Sequence, residues 1–376
     1  MARISPKTIL KGISNIPDWK TRRRIVVFES DDWGSIRMPS VEAFRRLDKA
    51  GVQLRNPFGE AERFNMYDNL ATSRDLENLY EVLSSVKDST GRPAVFTPVA
   101  IVANPDFQKI EDSGFQKYFY EPFTETLKRF PGCENAFKLW KEGIENRLFV
   151  PQMHGREHLN VPDWMRALQS GDKDALQSFR EQFWGYIPVS DPDADYLAAF
   201  LADSRDDLLQ MEEIIEDGLN LFEELFSYRA VFFVPPNGVF NNSLNSSLAS
   251  NGIRYRSNSK IQVEALSKSK TKKRLHYHGK KGKHGIRYII RNVVFEPSRE
   301  GVNWIDTSMD QISSAFRWNK PAIISTHRVS FVGALYPENR DKGLSALSAL
   351  LREIVKNWPD VEFMTTEELG ALMDRS

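Results

Sequence analysis

The sequence predicts an α/β fold assembled from repeated βα units, and three observations point to it. Short runs of apolar, β-branched residues recur along the chain and end in polar residues or glycine. Stretches with helical spacing of apolar residues lie between those runs. Three of the runs end abruptly in residues capable of chemistry: VVFESDDWGS, LFVPQMHGREH and IISTHRVS.

In chain order the predicted strands are 25–29, 94–102, 148–153, 230–234, 253–257, 286–295, 322–325 and 361–364. Helices are predicted over 41–50, 73–86, 134–145 and 344–357. The clearest helix starts at Ser204, with Asp206 and Asp207 in its first turn, where negative charge is favourable. Its apolar residues Leu208, Met211, Ile215, Leu219, Phe222 and Phe226 recur at spacings of three and four. Segments 53–71 and 107–131 fit no βα unit and read as long excursions. Residues 24–376 read as one domain with insertions around 53–71, 107–147 and 266–295, preceded by a basic arm, 1–23.

With 376 residues, 41% hydrophobic and including 24 Phe and 8 Trp, the chain can bury a substantial core. Lys plus Arg equals Asp plus Glu at 51 each, so no global field argues for nucleic acid. The single Cys133 excludes an intramolecular disulfide and a cysteine-rich zinc site. There is no signal-type h-region and no apolar run long enough to span a bilayer, so a cytoplasmic location is the expectation. Nothing in the sequence sets an oligomeric state.

The local charge is uneven. Segment 266–295 carries ten Lys or Arg, three His and no acidic residue. It reads as an exposed loop or hairpin, or as a clamp for a phosphate or an acidic sugar near a site. In the second case, neutralising Lys272, Lys273, Lys280 and Lys281 raises KM for a phosphorylated substrate. His276, His278 and His284 are poor metal ligands, because the surrounding positive charge repels a cation.

The three strand ends carry the functional signal. Asp31 and Asp32 are adjacent carboxylates after a buried run; shielded from water they need a cation or a shared proton. His154 and His158, at i and i+4, can share a face of a helical turn and converge on an ion. The chain has only six His, so a pair directly after a buried strand is informative. His327 ends a third strand, followed by Arg328. Parallel βα folds collect their sites at strand C-termini, so one carboxylate and two imidazoles would hold Zn2+ or a similar ion with a position open for water. A glycosidase carboxylate pair is the rival for Asp31 and Asp32, but adjacent residues less naturally flank a bond at roughly 5 Å or more.

This pattern resembles the polysaccharide deacetylase superfamily (carbohydrate esterase family four and relatives). The resemblance runs in motif order from about Arg24 to Met373 and implies a distorted (β/α)7-type barrel with long loop insertions. It implies Asp31 as general base, Asp32, His154 and His158 as ligands of a divalent metal, most readily Zn2+, and His327 as general acid. It further implies that Asp306 in NWIDTSMD orients His327, with Asp310 as second choice, and that Pro236 and Asn237 in PPNGVFN line a substrate groove. Trp33 is a candidate platform for a sugar ring, and Glu29 and Arg328 are candidate substrate contacts. The chain departs from the pattern at Gly155, where Ser or Thr usually follows the first His. It has no Arg in 230–234, and Trp33 is inserted between Asp32 and Gly34. The implied activity is hydrolysis of an N- or O-acetyl group on a carbohydrate, including phosphate-containing or lipid-linked precursors. Metal-dependent hydrolysis of a small non-sugar amide, and carbohydrate binding without turnover, remain as alternatives.

Overall fold

The computed structural model describes residues 18–55, 60–189 and 194–375. Most of the proposed N-terminal arm, 1–17, lies outside them. Its last residues are docked: Trp19 N donates to His278 O (2.8 Å), and Asp18 pairs with Lys320 (3.4 Å).

The main sheet is parallel and curled. Its strands are β1 (Arg24–Trp33), β2 (Phe96–Ile101), β5 (Gln152–Gly155), β6 (Phe232–Phe233), β7 (Tyr255–Ser257), β10 (Arg287–Ile289), β11 (Val293–Val294), β12 (Ala322–His327) and β13 (Val361–Phe363). Two antiparallel hairpins stand apart from it: β3 (Ala103–Pro105) with β4 (Tyr120–Pro122), and β8 (Ile261–Ser267) with β9 (Lys270–Leu275). The sheet order is β10-β7-β6-β5-β2-β1-β12-β11, with β13 also paired to β1. Its two outer strands, β10 and β11, are separated by residues 290–292 alone. One bent segment thus pairs with β7 on one side and with β12 on the other, which makes the sheet a distorted barrel.

Alternation along the strands divides the core in two. Val26 and Phe28 of β1 face outward into the helical layer, whereas Ile25 and Val27 face inward with Val99, Phe232, Ile289 and Ile323. Leu369 and Met373, on the helix Thr366–Asp374, plug that inner cluster. The inward face of β1 therefore climbs from Ile25 and Val27 to Glu29 and Asp31, from an apolar floor to a polar mouth.

All eight predicted strands fall on observed ones, the segment 286–295 being split into β10 and β11. The Ser204 cap holds, its side chain accepting from Asp207 N at the head of Arg205–Phe226. Helices Glu60–Tyr67, Val161–Gln169, Lys173–Arg180, Trp304–Arg317 and Thr366–Asp374 were not anticipated. The first of these lies within the excursion 53–71 and packs over the mouth of the barrel.

Gly34 fixes the exit from β1. Its φ is +93°, and an added Cβ would stand 2.2 Å from Ile101 O, a backbone atom with no freedom to withdraw. Gly34→Ala is expected to cost about 3 kcal/mol or more, read as a lower urea midpoint at unchanged m-value.

Candidate metal centre and active site

Because the sheet is parallel, the C-terminal ends of β1, β5, β7 and β12 open at one mouth. There a cavity of about 400 Å3 is lined by Asp31, Asp32, His154, His158 and His327, among others. The three clusters that lie 122 or more residues apart in sequence thus share one space.

How two adjacent carboxylates reach the same cavity is answered by a bulge. In a regular strand Asp31 and Asp32 would point to opposite faces. The β1–β2 register shifts between Ser30 and Trp33, and Asp32 takes φ 75°, a left-handed conformation uncommon outside glycine. The distortion brings both carboxylates to the cavity. Trp33, the inserted residue, anchors it from the other side. Its ring is buried edge-on to Phe149 (centroids 4.8 Å) and Trp140, and its Nε1 donates to Ser30 Oγ (2.9 Å). Trp33 is therefore a core residue and not a sugar platform. The aromatic ring in the cavity wall is Phe64, on Glu60–Tyr67, edge-on to His327 at 5.3 Å.

Asp32, His154 and His158 bring one ligand atom each within 4.8 Å of one another. Both imidazole Nε2 atoms stand 3.3 Å from Asp32 Oδ1. His154 Nδ1 lies 2.7 Å from Val234 O, which fixes that nitrogen as the donor and leaves the Nε2 lone pair facing the carboxylate. Burial holds His158 below the usual imidazole range, favouring its neutral form despite Asp32, and its Nδ1 is buried without a hydrogen-bond partner. Lone pairs converging on an anionic oxygen are stable only with a proton or cation among them, and neutral imidazole plus carboxylate is a donor set suited to zinc. The residues fit a divalent cation. His154 and His158 do not share a helical turn; residues 156–160 form an irregular loop. The loop is tight at Gly155, where a Cβ would stand 2.9 Å from Glu157 O, which explains why Ser or Thr does not stand there.

Asp31 is held by a residue that sequence reasoning missed. Arg291, in the seam between β10 and β11, donates from both terminal nitrogens to Asp31 (2.6 Å each) and from Nε to Glu29 Oε2 (2.6 Å). Burial raises Asp31, but the guanidinium more than offsets this and holds the carboxyl below its usual range. Glu29 is fully buried beneath it, accepting from Thr366 Oγ1 (2.9 Å), and burial pushes its carboxyl up. Glu29 supports Arg291 and does not line the cavity.

His327 also has an unforeseen partner. Its Nδ1 meets Glu296 Oε1 at 2.5 Å, and its Nε2 stands 3.8 Å from Asp31 Oδ2. Burial works against the imidazolium, but Glu296, with Asp32 and Asp31 beyond it, raises His327 to about 9. Glu296 is itself gripped by Arg63, whose Nη1 donates to Oε2 at 2.7 Å. Asp306 occupies the first turn of Trp304–Arg317, where its backbone N–H and carboxylate bond Asn303. The carboxylate on His327 Nδ1 is thus Glu296 and not Asp306, and Asp310 lies exposed on the same helix as Asp306.

Arg328 is fully buried directly after β12, donating to Asp68 Oδ1 (2.9 Å) and Ser35 O (2.7 Å). It ties loops together and is not in the wall of the main cavity, although it borders a small void shared with Asp32 and His158. Asn237 does line the cavity, in a turn at φ 52° with its amide donating to Asp195 (2.9 Å); Pro236 is buried behind it. None of Lys272, Lys273, Lys280 or Lys281 is in the cavity wall. His276 and His278 are buried and bonded to Gln262 and Ile290 N, not to each other.

Fold and site together define an α/β barrel with a His2Asp centre, a clamped carboxylate and an imidazole–carboxylate pair at one mouth. No protein-family model matches the chain, and no curated protein matches it in sequence. Among solved structures it is similar to a Mycobacterium smegmatis protein named as a polysaccharide deacetylase, at 12% identity and TM-score 0.43, over 96% of this chain and 92% of that one. It is also similar to one so named from Pseudomonas aeruginosa PAO1, at 11% identity and TM-score 0.45, over 94% and 92%. A third is the Puue allantoinase, at 11% identity and TM-score 0.44, over 94% and 92%. These likenesses assign no activity.

Proposed function

We propose that the chain is a metal-dependent hydrolase that removes an acyl group, N- or O-acetyl, from a carbohydrate or glycan precursor. The observation that carries this reading is the convergence of Asp31, Asp32, His154, His158 and His327 on one cavity. Asp32, His154 and His158 would hold the ion, zinc by the character of the donors. When bound, such an ion polarises an acyl carbonyl and acidifies water.

The chain's own residues divide the remaining work. Asp31, kept ionised and aimed by Arg291, takes the proton from the attacking water. His327, charged and oriented through Nδ1 by Glu296, gives a proton from Nε2 to the leaving nitrogen or oxygen. Arg63 holds Glu296 from its other oxygen, so that His327 keeps one orientation.

The cavity is of small-molecule size, and Phe64 and Arg63 of the helix Glu60–Tyr67 form part of its wall. This favours a monosaccharide-sized substrate over a polymer lying in an open groove, and it gives weight to the second reading, a small non-sugar amide. A cytoplasmic site of action belongs to the same proposal, since it suits a biosynthetic precursor. Among the described residues no helix is long and apolar enough to cross a membrane.

The decisive experiment is elemental analysis of the purified protein beside Asp32→Ala and His154→Ala. Near-stoichiometric metal in the wild type, lost from both variants, is expected. Wild type that stays metal-free after zinc loading, or variants that keep their metal, would overturn the reading.

A further inference from the structure

The basic segment gives Arg291 to the active site, and its remaining cations have another setting. In the hairpin β8–β9, Gln262 and Glu264 turn inward and are buried, which turns Ile261 and Val263 outward. Leu275 is the cross-strand partner of Ile261, and Lys273 that of Val263, so all four side chains share the outer face. Ile261, Val263 and Leu275 are 61%, 51% and 70% exposed. They are three of the seven large apolar residues found exposed among the described residues, gathered on one small face.

Lys273 shares this face, Lys270 and Lys272 alternate with it along β9, and Lys281 and Lys283 follow in the chain. Lys270, Lys272, Lys273, Lys281 and Lys283 are all exposed. The ion pairs of this region use Lys268 with Asp163, Arg274 with Glu264 and Arg287 with Asp374, and among the described residues none involves those five lysines. Lys280 lies over the Tyr277 ring at 5.4 Å. An apolar patch on a hairpin rich in exposed, unpaired lysines matches the boundary of an anionic bilayer, with acyl chains for the aliphatic groups and phosphates for the lysines. Protein partners fit less well, because lysine is depleted at the centres of their interfaces. Nucleic acid would leave the aliphatic groups uncovered.

We propose that the outer face of the β8–β9 hairpin docks the protein on anionic lipid surfaces. The hairpin rises from the rim of the cavity, since Ser257, Asn258 and Ser259, just before β8, line the cavity wall. The surface contact stands whether or not the hydrolase reading does.

The test is sedimentation of the full chain with vesicles of phosphatidylcholine alone and with phosphatidylglycerol added. Binding to the anionic vesicles alone is expected, falling about tenfold in Ile261→Ser/Leu275→Ser and in Lys272→Glu/Lys273→Glu. The four positions are exposed, so circular dichroism should be unchanged. Absence of wild-type binding overturns the proposal. So does binding that both double variants retain, which would place the contact elsewhere. A loss confined to the lysine variant overturns it too, leaving an electrostatic contact without insertion.

Discussion

Arg291→Met is expected to reduce turnover by about a hundredfold to ten-thousandfold, the range of a general base, and to destabilise the fold by roughly 3–5 kcal/mol. Both effects have one origin. Glu29 and Asp31 lie two residues apart on the inward face of β1, both buried, and Arg291 bonds both. Without the guanidinium, two desolvated carboxylates face each other, and His327, 3.8 Å from Asp31, remains as the countercharge. One must take a proton, Glu29 before Asp31 because burial already pushes its carboxyl up, and Asp31 loses its aim. Arg291→Lys supplies charge without the two-pronged geometry, and so should recover part of the stability but little of the activity. Adding Glu29→Gln to Arg291→Met removes one of the stranded charges and should return stability without returning turnover. The measurements are urea unfolding and acetate release from an acetylated sugar. Turnover within tenfold of wild type in Arg291→Met would sink the role given to Asp31.

What was legible in the sequence follows from where the signal resides. Buried strands announce themselves as apolar runs, and a run that ends in Asp-Asp or in His is visible without a structure. Asp31, Asp32, His154, His158 and His327 could therefore be placed at one mouth before any coordinate was known. The partners of those residues were harder, because they depend on which strands meet. Yet two signals were present. Arg291 is one of two cations, with Arg287, inside the largely apolar run 286–295, and a charge buried there must find a counterion. Glu296 follows that run directly, the same strand-end position that singled out Asp31. Asp306 was preferred on its closeness to Trp304, and the helix that starts there uses it as an N-terminal residue instead. Trp33 illustrates a different limit. Period-two alternation assigns it a face only if the strand is regular, and the φ of Asp32 breaks that regularity. Arg63 and Phe64 left no trace in the sequence pattern, since the helix carrying them lies within an excursion that fits no βα unit.

The second large effect concerns pH. His327→Asn should lose about a hundredfold to ten-thousandfold at every pH, because the proton donor itself is gone. Glu296→Gln should behave differently. Glutamine can still accept from Nδ1, so orientation survives while the negative charge does not. In the wild type Glu296 helps to hold the imidazolium up to about 9, so turnover that needs the acid form persists in mildly alkaline solution and falls as pH rises through that value. In Glu296→Gln the imidazole returns toward its ordinary range near about 6.5, and the alkaline limb moves down by more than about one pH unit. A dication on Asp32 lowers the limb in both proteins and leaves the displacement between them. The stability linkage has the same sign. A raised folded pKa contributes stability below about 6.5 that is lost as pH rises through about 9, and Glu296→Gln removes that contribution. The discriminating plot is log kcat against pH for wild type and Glu296→Gln. Superimposable alkaline limbs would show that Glu296 does not set the charge of His327, and parallel curves offset at all pH values would reduce its role to positioning.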